Sequence, residues 1–224
     1  MMKNKLIIVE GPQGTGKTSL TNYLRDNIAS SNLYRLSGQK DKTETGKKIS
    51  EKMYVALLDY LEQMQDVPMT ILFDRTFFTE EVYARLGYKD YSFTDVYEKL
   101  VDKLAKLSYD IYLVSLYLED EKLYEARLAR ERHHNYQAFS VENSSNQQRT
   151  YKELGEELSK KYDNIKIIRI AMDNFEKAYK EIDELFDIES KTQPKPTSTS
   201  IQLSTEENSS NDNESKKIIQ LQFI

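Results

Sequence analysis

Leu6-Ile7-Ile8-Val9-Glu10-Gly11-Pro12-Gln13-Gly14-Thr15-Gly16-Lys17-Thr18-Ser19-Leu20 is the stretch on which the fold turns. An apolar run stops at a glycine. Four residues separate Gly11 from Gly16, and Lys17 and Thr18 follow. A buried strand before a G-x-x-x-x-G-K-[ST] spacing, with a helix after it, marks a phosphate-binding loop. Glycine lets the backbone take positive φ and approach an anion without a Cβ in the way. The loop amides of Gly11, Pro12, Gln13, Gly14, Thr15, Gly16, Lys17, Thr18 and Ser19 (Pro12 lending only its shape) then surround the anion together with the first turn of the helix. Lys17 can neutralise β- and γ-phosphates, and the Thr18 hydroxyl can ligate Mg²⁺.

Outward from the loop, strands alternate with helices. Residues 5–9 are apolar on both faces, as a central parallel strand is. A helix over 18–29 carries Leu20, Tyr23, Leu24 and Ile28 on one face, and 33–36 is a short strand. Residues 37–48, with Lys40, Lys42, Lys47 and Lys48, read as a polar loop. Ile49, Met53, Leu57, Leu61 and Met64 keep helical spacing within about 44–65, and 69–73 is another buried strand. Helices are expected over 80–86 and 93–107, a strand over 110–118, a helix over 120–132 and an irregular polar stretch over 133–146. Then come a helix over 147–162, a strand over 165–170 and a helix over 173–186. Such alternation argues an α/β fold of three layers, a parallel sheet covered on both faces.

Composition bounds the rest. The 224 residues fit one domain, 1–188, plus an appendage. Residues 189–224 are rich in Ser, Thr, Asn and Glu and read as a disordered low-complexity tail ending in the apolar Ile-Ile-Gln-Leu-Gln-Phe-Ile. A net charge of −5 weighs against a nucleic-acid partner. There is no cysteine, hence no disulfide and no thiolate metal site. No run approaches the ~20 apolar residues of a membrane span, and the N-terminus enters the first strand directly. These features fit a cytoplasmic protein.

Ligands of parallel sheets bind beyond the carboxyl ends of strands. The Asp74-Arg75 pair ends the 69–73 strand, so it should share a crevice with the loop. Asp74 is a candidate for Mg²⁺, and Arg75 can grip an anionic oxygen. Arg127 and Arg130 lie three apart on a helix ahead of the polar 133–146 stretch. They could bring positive charge over a transferring phosphoryl group on closure. His133 and His134, without a spaced carboxylate, make a poor metal site.

The pattern resembles the thymidylate kinase and deoxynucleoside kinase group of P-loop kinases, over about residues 5–186. Ile8-Val9-Glu10-Gly11 leads into Gly16-Lys17-Thr18, and Asp74-Arg75-Thr76 with Thr79 and Tyr83 looks like the group's D-R-x-x-x-[ST]-x-x-x-Y. Tyr117-Leu118-Glu119 followed by Leu123, Arg127 and Arg130 looks like its strand-to-lid segment; Arg149, Tyr151 and Leu154 resemble the next helix. The resemblance implies ATP and Mg²⁺, a five-stranded parallel sheet and an acceptor nucleoside or nucleoside monophosphate. It also implies Arg75 on the acceptor side and Arg127 and Arg130 in a lid. A homodimer is an arrangement that only the resemblance suggests.

The chain departs from the pattern at Gln13, where thymidylate kinases usually carry Asp, and at Ala84, where they carry Gln. Its segment between the loop and Asp74 is shorter than theirs. Deoxynucleoside kinases usually carry Glu in place of Asp74. The donor half therefore looks intact and the acceptor half remodelled. Phe77, Phe78 and Tyr83 could stack on a base, although aromatic residues beside a core are more often packing. For a nucleoside acceptor, Glu10 and Asp74 are the nearest candidate bases; a monophosphate needs none. The expected activity is Mg²⁺- and ATP-dependent phosphoryl transfer to a nucleoside monophosphate. The rivals are a nucleoside kinase, a kinase for a polynucleotide or modified base, and an ATP-binding switch without transferase activity.

Overall fold

Strand β1 (Asn4–Glu10) feeds two cores at once. Leu6 and Ile8 point into one, Ile7 and Val9 into the other, and all four are buried. A strand apolar on both faces can only sit inside a covered sheet, and β1 does. The computed structural model describes residues 4–129 and 140–188.

After β1 come α1 (Lys17–Asn27), β2 (Ser31–Arg35), α2 (Glu44–Gln63), β3 (Thr70–Asp74), α3 (Phe77–Arg85) and α4 (Thr94–Leu104). They are followed by β4 (Tyr109–Tyr117), α5 (Leu123–Leu128), α6 (Val141–Lys161), β5 (Ile165–Ala171) and α7 (Phe175–Phe186). The strands form one five-stranded sheet in the order β2-β3-β1-β4-β5, every neighbouring pair parallel. Buried residues of α2, α3, α4 and α6 cover one face, and those of α1, α5 and α7 the other. The three-layer expectation therefore holds. In the sheet, the pairing of β1 with β3 sets Val9 opposite Asp74, and that of β2 with β3 sets Arg35 opposite Asp74. The carboxyl ends of β1, β2 and β3 thus meet at one point.

Three expectations need correction. The α2 stripe is rotated: Gly46, Ser50, Tyr54, Leu58 and Leu61 face inward, while Ile49 and Met53 are 46% and 37% exposed. Tyr54 sets that register by packing edge-on against Phe77 and Phe93. Helix α3 begins at Phe77 rather than at residue 80, directly after Thr76. Helix α6 begins at Val141, inside the stretch expected to be irregular. Its start is fixed by Ser140, whose hydroxyl accepts the Asn143 amide at 3.0 Å, a side-chain N-cap. Among the lid residues, Arg130, His133 and His134 lie outside the described residues, as does the 189–224 tail.

Candidate active site

The loop between β1 and α1 has the backbone its glycines foretell. Gly11, Gly14 and Gly16 all have positive φ. At Gly11 (φ 139°) a Cβ would sit 2.6 Å from the Leu116 carbonyl oxygen, so only glycine fits against β4. The buried Thr15 hydroxyl donates to Pro12 O at 2.8 Å, and Lys17 Nζ donates to the same oxygen at 2.5 Å. Lys17 is buried within the loop it is expected to serve.

Asp74, at the end of β3, faces this loop. Its Oδ2 accepts from the Thr18 hydroxyl at 2.9 Å and from the Thr21 hydroxyl at 3.4 Å. Arg35 Nε, from the end of β2, lies 3.6 Å from the same oxygen, and its guanidinium also donates to Asn22 Oδ1. A hydroxyl and a carboxylate side by side at a phosphate loop are the oxygen donors Mg²⁺ takes when phosphates and water complete its shell. Among the described residues no group of three or more His, Cys, Asp or Glu forms an all-protein metal cage. The donor set fits a metal shared with a phosphate.

Arg75 follows in a left-handed backbone conformation (φ 73°). Its amide donates to Val9 O at 3.1 Å, and Nη1 donates to the Tyr83 hydroxyl at 3.3 Å. Tyr83 is thus a partner of Arg75, with its ring edge-on to Tyr88. Phe78 is fully buried and packs against Phe77 and Tyr97. That is a core position, not a face on the crevice.

Glu10 is also fully buried. Its Oε1 accepts the Thr76 amide at 2.6 Å and the Thr76 hydroxyl at 3.1 Å; its Oε2 accepts the Thr79 hydroxyl at 2.6 Å and the Tyr151 hydroxyl at 3.2 Å. Burial pushes its pKa up. The hydrogen bond from Thr79, the charge of Arg75 and the bonds from Thr76 pull it part of the way back.

Arg127, on α5, reaches the loop. Nη1 donates to Gly14 O at 3.3 Å, Nη2 to Met172 O at 2.6 Å, and the guanidinium lies 4.8 Å from the centre of the Phe175 ring. A Cβ on Gly16 would touch Phe175 at 3.3 Å, so α7 starts against the glycine loop. Phe175 is 42% exposed. Sequence reasoning missed it, together with Thr21 and Arg35. The available signal was position, since Arg35 ends a strand and Phe175 opens the helix after one.

No protein-family model matches the chain, and no curated protein does. Among solved structures, the thymidylate kinase of Candida albicans is similar with a TM-score of 0.58 at 14% identity, over 83% of this chain and 92% of that one. The deoxyadenosine kinase of M. mycoides with the products dCMP and dCDP bound is similar with a TM-score of 0.53 at 14% identity, over 81% and 98%. The same enzyme with dATP gives 0.54 at 13% identity, over 82% and 100%. At these identities the likeness is one of fold, and that fold is the P-loop kinase fold.

Proposed function

We propose that this protein is a Mg²⁺- and ATP-dependent phosphotransferase whose acceptor is a nucleoside monophosphate. The observation that carries the reading is the 2.9 Å hydrogen bond from Thr18 to Asp74, beside Arg75. It joins a phosphate loop to a strand-end carboxylate at the one point where three strands finish.

Lys17 and the loop amides would hold the donor phosphates, and Thr18 and Asp74 would hold Mg²⁺, which when bound offsets phosphate charge. Phe175, exposed beside the loop at the start of α7, offers an aromatic edge for the donor's base. Arg75 would grip the acceptor phosphate as a planar donor of paired hydrogen bonds. Arg127, with Arg130 outside the described residues, would add positive charge near the transferring group.

A monophosphate is favoured over a nucleoside because of the state of the two carboxylates. A nucleoside hydroxyl needs a base to take its proton, whereas a phosphate oxygen is already anionic. Glu10 has four donors on its two oxygens. Asp74 is engaged with Thr18, Thr21 and Arg35. The likeness to a deoxyadenosine kinase keeps a nucleoside acceptor as the second reading.

Incubation with γ-labelled ATP, Mg²⁺ and a panel of nucleosides and nucleoside monophosphates tests this. Label on a monophosphate is expected. Label on a nucleoside alone supports the second reading. ATP binding without transfer to any member overturns both.

A further inference from the structure

Two consecutive acceptors on β1 hold two consecutive amides after β3. The Val9 carbonyl takes the Arg75 amide at 3.1 Å, and the Glu10 carboxylate takes the Thr76 amide at 2.6 Å. Between them Arg75 is kept in a backbone region that residues with a Cβ rarely occupy. The other carboxylate oxygen meets hydroxyls from two more elements. Thr79 comes from α3 and Tyr151 from α6, and their hydroxyl oxygens lie 2.9 Å apart. A carboxylate has about four lone-pair directions to offer, and these contacts use them all.

We propose that Glu10 is a positioning residue rather than a proton acceptor. It locks the Arg75–Thr76 turn to the strand that carries the phosphate loop, and it ties α3 and α6 to the same point through Thr79 and Tyr151. Arg75 then meets the acceptor at a fixed distance from the donor phosphates, which is what in-line transfer needs. The proposal rests on the reading of Arg75 as the acceptor-side cation.

The consequence is separable from base catalysis. Gln in place of Glu keeps an oxygen for the Thr76 amide and an amino group that can donate to the Thr79 and Tyr151 oxygens, but it cannot take a proton. Ala removes the lock.

The experiment measures transfer to whichever acceptor the wild type uses, with KM for acceptor and for ATP determined separately and kcat followed against pH. Glu10→Ala is expected to raise the acceptor KM about tenfold or more while the ATP KM moves less than about threefold. Glu10→Gln is expected to recover most of that loss and to keep the shape of the wild-type pH profile. A kcat loss of about 100-fold in Glu10→Gln with disappearance of one pH limb would make Glu10 the base and overturn the proposal. So would an unchanged acceptor KM in Glu10→Ala. If Glu10→Ala does not fold, the pair Thr79→Val with Tyr151→Phe removes two of the four donors. It should raise the acceptor KM about fivefold, and no change there overturns the proposal.

An NMR readout separates this from failure of the kinase reading. The Thr76 amide proton, held at a carboxylate, should lie downfield in the wild type and move upfield in Glu10→Gln. That movement without transfer to any acceptor would leave the lock standing and sink the kinase. An amide that does not respond would sink the lock whatever the enzyme transfers.

Discussion

The Thr18 hydroxyl donates to Asp74 Oδ2 at 2.9 Å, across 56 residues of chain. Thr18 follows the loop lysine in the first turn of α1; Asp74 closes β3. Their contact brings the glycine loop and a strand-end carboxylate into hydrogen-bond range, with Arg75 next in sequence. The chemistry proposed for the site depends on this pair more than on any other.

Asp74→Asn keeps the shape and one oxygen but removes the charge that a divalent cation requires. Transfer should fall by about 100-fold or more. Folding should change little, because Asn can still accept from Thr18. The check is a Mg²⁺ titration of activity, in which the variant should need much more metal for half-maximal rate. Lys17→Ala should abolish transfer altogether. Transfer that survives would remove the phosphate loop from the mechanism.

How far the sequence alone reached depended on how local each feature is. The glycine loop is contiguous, so its place between β1 and α1 followed from its spacing, and the position of Asp74-Arg75 beside it was legible because a strand end is a predictable place. The contacts of Glu10 were not. Tyr151 lies 141 residues away from it, and nothing in the spacing of either residue announces the other. The α2 face was misread because apolar residues surround that helix. Packing of Tyr54 against Phe77 and Phe93, not periodicity, decides which side is buried. Polar residues at the start of α6 looked like a loop until the Ser140 cap explained them.

Gly11→Ala should destabilise the protein even without ligand. The new Cβ would stand 2.6 Å from a β4 carbonyl oxygen, and the φ of 139° disfavours any side chain. Neither the sheet nor the loop can yield cheaply, so the cost should be roughly 2–4 kcal/mol. Thermal unfolding should show a Tm lower by about 5–10 °C.

Phe175→Ala should behave in the opposite way. The ring is 42% exposed and stacks with Arg127 and Tyr179 rather than filling a core. Stability should change by less than about 1 kcal/mol. The KM for ATP should rise several-fold while the acceptor KM stays put, a split that steady-state kinetics reads directly.

A buried ion pair gives a prediction about stability alone. Lys89 Nζ lies 2.6 Å from Glu80 Oε1, with side-chain exposures of 3% and 0%. Lys89 also donates to the Gln39 carbonyl, and the Tyr91 hydroxyl donates to Glu80. Lys89→Met would leave a carboxylate buried without its cation, at a cost of about 3–5 kcal/mol. Adding Glu80→Gln removes the orphaned charge and should restore much of the loss. A double-mutant cycle by urea unfolding measures the coupling. Additive losses would mean that solvent reaches the pair.

The last prediction concerns pH and Glu10. Burial raises its folded pKa above the ordinary value of 4.5, against the pull of Thr79, Arg75 and Thr76. The native state therefore holds this proton more tightly than the unfolded chain does. The stabilisation this provides is complete below the unfolded pKa and is lost as pH rises through the folded one. Glu10→Gln carries no such proton. The Tm difference, variant minus wild type, should therefore grow more positive as pH rises above about 4.5 and level off once the folded-state proton is lost. Paired thermal melts across that window make the comparison. A difference that is flat, or that shrinks with rising pH, would show that the hydrogen bonds from Thr76, Thr79 and Tyr151 outweigh desolvation and hold the carboxylate ionised.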